Sequence, residues 1–118
     1  MTSTTALRLS ALFGFLAVAL GAFGAHGLKE VLTRNGTAAI WETAAHYHLI
    51  HAVVLLVLAT RPTVCACAWR LMAIGIVIFS GSLYALALTN IKILGAITPV
   101  GGLFLLAGWA YLIWRPER

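Results

Sequence analysis

Residues 71–91, LMAIGIVIFSGSLYALALTNI, run for 21 positions without an Asp, Glu, Lys or Arg. A helix rises about 1.5 Å per residue, so about 20 such residues cross the roughly 30 Å hydrocarbon core of a bilayer. Working outward, the neighbouring charges delimit three more windows of this kind. Residues 9–28 supply 20 uncharged positions, 43–60 supply 18 and 93–114 supply 22. Main-chain N–H and C=O groups must pair internally in lipid, so the windows predict helices. Barrel strands would alternate in polarity and run only about 10 residues.

The expected fold is therefore all-α: one membrane domain of 118 residues forming an integral bundle of four transmembrane helices. The predicted spans are 7–25, 44–60, 69–89 and 97–114, with a polar or amphipathic outer loop over 27–43; the second helix has Ala38 as its alternative start. Asn35-Gly36 marks a turn and Thr37 is a candidate N-cap. Thr98-Pro99 reads as a cap followed by a first-turn proline, with a kink inside a longer helix as the alternative. The first span, with Arg8 ahead of it and Gly24 and Ala25 near its end, also has the outline of a secretory signal. Three further spans make a retained anchor the simpler reading.

Composition agrees. The chain is 62% hydrophobic and 9% charged, more apolar surface than a soluble domain of this size can cover. Its net charge of +5 comes from basic residues scattered along the chain rather than gathered in a stripe, which argues against nucleic acid as a partner. With both termini on one side, that side holds Arg8, Arg61, Arg70, Arg115 and Arg118, and the other holds Lys29, Arg34 and Lys92. This five-to-three bias places both termini in the cytoplasm. Trp69 and Trp114 are then expected at the inner interface and Trp41 at the outer one.

Helix association in lipid depends on close backbone approach. Ala17, Gly21 and Ala25, four apart, form one candidate packing stripe, Gly81 and Ala85 a second, and Gly101, Gly102 and Gly108 thin the last helix. These faces serve either a homo-oligomer or a single tightly packed bundle.

The polar residues at membrane depth are the places to seek chemistry. His26, His48, His51, Ser80, Ser82 and Tyr84 form the candidate cluster. On an ideal helix His48 and His51 lie about 60° apart and share a face. His26 is expected in a helix-terminal role, with Gly27 as a left-handed cap. His46 has Glu42 at the i−4 position for an ion pair. A bis-histidine haem or metal site between His26 and His51 meets a depth mismatch. At about 1.5 Å per residue, His26 stands about 27 Å above Arg8, whereas His51 stands about 15 Å above Arg61. Cys65 and Cys67 close almost no loop and read as small residues of a connection, with a Cu(I)-binding or redox-sensing pair as the alternative. Neither a metal nor a cofactor is expected. No carboxylate lies within the apolar windows and no nucleophile has a local base, which argues against an enzyme.

The segments Gly21-Ala22-Phe23-Gly24-Ala25-His26-Gly27, His48-Leu49-Ile50-His51, Phe79-Ser80-Gly81-Ser82-Leu83-Tyr84, Thr98-Pro99-Val100-Gly101-Gly102 and Ala107-Gly108-Trp109 stand in an order that resembles the YgdD-like family. Its members are small bacterial inner-membrane proteins of unknown function, and the animal transmembrane protein 256 looks similar. The resemblance covers residues 9–114 and implies a multi-pass protein of the bacterial inner membrane. It matches His26 and His51 to the family's histidines; some members carry glutamine at His48, and His46 has no counterpart. It implies no activity. The favoured expectation is a non-catalytic membrane bundle that binds a lipid-like ligand or a membrane-protein partner, itself included. The alternative is a small transporter or channel subunit with a path lined by His48, His51, Ser80 and Ser82, and a redox subunit stands behind both.

Overall fold

The computed structural model describes residues 2–115; Arg118, one of the five arginines of the orientation argument, lies outside them. Helix α1 spans Ser3–Ala25, α2 Lys29–Asn35, α3 Ala38–Ala59, α4 Ala66–Thr89 and α5 Thr98–Trp114, with a 3-10 turn over Lys92–Ala96 leading into α5. Four of these, α1, α3, α4 and α5, are long and apolar enough to cross a membrane, the last together with its 3-10 lead-in. The Cα envelope measures 47 × 25 × 18 Å, and its long axis matches a bilayer with its headgroups, about 40–45 Å.

The helix ends are fixed by local chemistry. Thr2 caps α1 by accepting the Thr5 N–H at 3.1 Å. Gly27 does not take the left-handed cap expected of it; α1 closes instead with the Leu28 N–H donating to the Phe23 carbonyl at 2.8 Å. Left-handed residues end α2 at Gly36 (φ 67°) and α4 at Asn90 (φ 58°). The loop expected over 27–43 holds α2 and the first six residues of α3. Thr37 is no side-chain cap, because its hydroxyl turns away to donate to the Ala87 carbonyl of α4 at 2.7 Å. Asn35 Nδ2–H donates to the same carbonyl at 3.1 Å, so the outer connection is pinned to the end of α4. Pro99 sits in the first turn of α5, where its missing N–H costs nothing. The third span starts three residues before the predicted 69, at Ala66.

The backbones pack in the order α1–α3–α4–α5, with α4 against both α3 and α5 and α1 against α3. The outer two, α1 and α5, bury least and turn Phe15, Val18, Leu103 and Ile113 toward lipid. The inner-half core gathers Leu55 and Leu58 of α3, Trp69, Met72 and Ile76 of α4, and Leu105 of α5. Cys65 is buried in this core and Cys67 is exposed, so the two thiols do not share a site.

Three tryptophans bond between helices, and two of them join helices whose backbones stand apart. Trp41 and Trp69 are 2% and 4% exposed, which corrects the expectation that both lie in interfacial belts. The Trp41 indole N–H donates to the Leu20 carbonyl of α1 at 2.8 Å, and the Trp69 N–H reaches across to Ser10 Oγ of α1 at 2.9 Å. Ser10 in turn donates to the Ala6 carbonyl at 2.7 Å. Trp109 of α5 donates to His51 of α3 at 3.0 Å. The pairs α1–α4 and α3–α5 make no close backbone contact, and each is spanned by one indole. Burying an indole N–H in an apolar interior requires an acceptor, and the long side chain reaches one that a serine could not. Trp69→Phe is therefore expected to lower stability by at least about 1 kcal/mol, the usual size of one interhelical hydrogen bond in a membrane, with the lost indole packing added to it. Unfolding of the purified chain in mixed micelles measures it.

Candidate functional site

The polar cluster expected from the sequence is distributed over separate interhelical bonds. His48 and His51 sit three apart on α3 and are each 5% exposed, yet they face different neighbours. His48 Nδ1 shares a 2.9 Å hydrogen bond with the Tyr84 hydroxyl of α4. Its Nε2 faces the main chain of Phe13 on α1 without a hydrogen bond of good geometry. Among the described residues it is the one buried side-chain polar atom left in that state. The Phe13 ring meets the imidazole edge-on at 6.3 Å between centroids.

His51 is fully committed. Its Nδ1 lies 2.8 Å from the Tyr47 carbonyl, and its Nε2 lies 3.0 Å from the Trp109 indole nitrogen. A carbonyl only accepts and an indole N–H only donates. The ring is therefore neutral, with its proton on Nδ1 and its Nε2 lone pair taken by Trp109. Neither nitrogen remains for a metal or for proton transfer while both bonds stand.

Ser80 donates to the Ala44 carbonyl of α3 at 2.8 Å. Ser82 donates to the Phe79 carbonyl at 3.0 Å and shares a 2.7 Å bond with Thr98 of α5. Thr98 is thus tied to α4 rather than acting as the cap read from the sequence. His26 is exposed at the C-cap of α1, apart from the buried histidines. Glu42 and His46, read as an i, i+4 pair, are both exposed, and no bond joins them. Among the described residues no three His, Cys, Asp or Glu side chains converge as a metal site.

The small residues divide as well. A Cβ placed on Gly101 would collide with the main chain of Phe79 and Ile78, so α4 and α5 touch backbone to backbone there. One on Gly108 would meet Met72 Cγ at 2.6 Å. Gly75 and Gly24, not read as packing residues from the sequence, carry Leu105 and the Trp41 indole over their Cα atoms. Gly21 and Gly81 have nothing within 4 Å, so neither is a point of close approach within the chain. Ala17 is buried, Ala85 is partly buried and Ala25 is exposed. A groove of about 630 Å³ runs beside Ala17, Gly21 and Ala25, walled by Trp41, Glu42 and His46 of α3.

A second pair of grooves follows from the separation of α3 and α5. Tyr47, His51, Phe79, Gly102, Leu106 and Trp109 line a space of about 490 Å³. Val54, Val57, Leu58, Leu112 and Arg61 line another of about 460 Å³ toward the inner face. Trp109 lines both and so stands between the two spaces. Leu103 and Leu106 on the rim are about two-thirds exposed, so the space opens sideways, toward lipid. Sequence reading missed Trp109, Trp69 and these grooves, because each depends on how the helices are rotated.

Comparison with known proteins agrees with this architecture. A family model described as "Protein of unknown function (DUF423)" matches residues 20–102. A UPF0382 membrane protein of Staphylococcus haemolyticus is 46% identical over 110 residues, covering 89% of this chain and 88% of its own length. The UPF0382 membrane protein YwdK of Bacillus subtilis is 44% identical over 112 residues, covering 89% of each chain. The UPF0382 inner membrane protein YgdD of Escherichia coli is 40% identical over 119 residues, covering 96% of this chain and 89% of its own. No solved structure matches. Apolar spans, matching family and relatives of like length agree: this chain is a multi-pass integral membrane protein belonging to the DUF423, or UPF0382, family, whose specific function is not established.

Proposed function

We propose that the protein is a non-catalytic membrane bundle whose α3/α5 groove receives the chain of a lipid-like ligand. One observation carries the reading: α3 and α5 are joined by the His51–Trp109 bond while the space on either side of it stays open to lipid. Pockets for apolar ligands are typically about 300–1,000 Å³, and each half of the groove falls in that range. The commitment of the polar side chains supports the same reading. Ser80, Ser82 and Nε2 of His51 are engaged in bonds between helices, and Nδ1 of His51 in a bond to Tyr47 within α3, which leaves little for acid–base work. A transport path along His48, His51, Ser80 and Ser82 would have to break those bonds, and none of these grooves is lined by His48, Ser80 or Ser82.

Gly102→Leu tests the proposal. A Cβ at Gly102 meets only the Phe79 ring, at 3.8 Å, so the larger side chain fills the groove without a backbone clash. The variant is expected to fold and to retain less than half of the lipid that co-purifies with the unaltered protein, measured by mass spectrometry of the extracted lipid. Equal retention by a folded variant would contradict the groove as the binding place.

A further inference from the structure

We infer that the α3/α5 groove takes one acyl chain of an anionic phospholipid from the inner leaflet, with the lipid phosphate on Arg61. The inference rests on the lipid-like ligand proposed above and adds the ligand's class, depth and orientation.

Length gives the first argument. From Tyr47 to Leu58, α3 rises about 17 Å at about 1.5 Å per residue. One leaflet contributes about 15 Å, half of the hydrocarbon core. The groove therefore suits a single chain of one leaflet, lying along α3 and past Trp109. Charge gives the second. Arg61 lines the inner half of the groove, at the end of α3 where the apolar wall of Val54, Val57 and Leu112 stops. Arg8, Arg70 and Arg115 belong to the same end of the bundle, whereas Glu30 and Glu42, the acidic residues among those described, belong to the other. A guanidinium has five donors in a fixed fork that suits phosphate oxygens, so it can hold a phosphate beside another partner. A cation at the end of an apolar trough, facing the leaflet where anionic lipids are attracted to basic side chains, matches a phospholipid that is negative overall. A neutral lipid would fill the trough and draw less from Arg61.

The test uses the full chain, delipidated in detergent, with phosphatidylglycerol or phosphatidylcholine of identical chains added stepwise and complexes counted by native mass spectrometry. The unaltered protein is expected to bind phosphatidylglycerol about five-fold more tightly, the effect of about one basic side chain near an anionic headgroup. Arg61→Gln should reduce that preference to near unity by weakening phosphatidylglycerol more than phosphatidylcholine, and Arg61→Lys should keep part of it. Arg70→Gln should leave the preference in place. An equal affinity for the two lipids, a preference that survives Arg61→Gln, or an Arg70→Gln effect as large as that of Arg61→Gln would overturn the inference; the last would make it diffuse surface charge. Gly102→Leu separates the two levels. If it weakens both lipids while Arg61→Gln changes nothing, the groove binds chains without reading the headgroup. If it weakens neither, the groove itself is not the site and the parent proposal fails with it.

Discussion

Replacing Gly101 with leucine is expected to unseat α5 from α4 and to lower stability by about 3 kcal/mol or more, the upper end of the usual cost of overpacking. The size follows from what the new side chain meets. At Gly101 the obstruction is the main chain of Phe79 and Ile78, which cannot move without shifting the whole of α4. At Gly108 the obstruction is the unbranched side chain of the buried Met72, through Cγ and Cε, rather than main chain, so Gly108→Ala should cost less. Gly75 stands between, since Leu105 presents both side-chain atoms and its backbone nitrogen, at 3.0 Å. Gly81 has open space around it, and there alanine should be neutral or gain about 0.5–1 kcal/mol from the lower backbone freedom of the unfolded chain. The ranking Gly101, Gly75, Gly108, Gly81 is measured by unfolding each variant in mixed micelles. A flat series would deny the close crossing of α4 and α5.

His51→Ala should have the next largest effect, because it removes the bond that spans α3 and α5 where their backbones do not touch. The Trp109 N–H then has no acceptor in an apolar medium, a loss of about 1–3 kcal/mol. Trp109→Phe removes the donor together with part of the indole's contact area, so its cost includes packing and is not the bond alone. The double variant isolates the interaction: a coupling of about 1 kcal/mol is expected, within the range found for hydrogen bonds between membrane helices. Both single variants should also open the groove beside Trp109, read as increased reactivity of a cysteine placed at Leu106 toward a lipid-soluble thiol reagent.

The number and rough position of the spans were legible because charge is costly in hydrocarbon, and Arg8, Lys29, Glu42, Arg61, Arg70, Lys92 and Arg115 mark where it becomes tolerable. The rotation of each helix was not legible, for the same physical reason. In water an apolar stripe points to the core, but in lipid the outer face is apolar too, and the sequence of α3 or α5 carries little directional signal. Every reading that depended on rotation was accordingly open. Trp41 and Trp69 have the composition of interfacial anchors and lie inside as donors. Gly21 and Gly81 have the spacing of packing residues, yet a Cβ on either would meet nothing within 4 Å, whereas Gly75, outside that spacing pattern, lies under Leu105. The start of α3 at Ala38 was obscured by Glu42, an exposed charge one turn inside the helix. His26 and His51, set apart in the sequence by rise per residue, also differ in burial: His26 is exposed at the end of α1 and His51 is enclosed.

The claim on which the rest depends is that the membrane-buried imidazole at position 51 is a joint between helices. Nitrogen-15 NMR of histidine-labelled protein in lipid nanodiscs tests it most directly. His51 should appear as a neutral ring protonated on Nδ1, with its Nε2 signal correlated to the indole proton of Trp109. A ring carrying its proton on Nε2, or an Nε2 with no correlation to Trp109, would contradict the account.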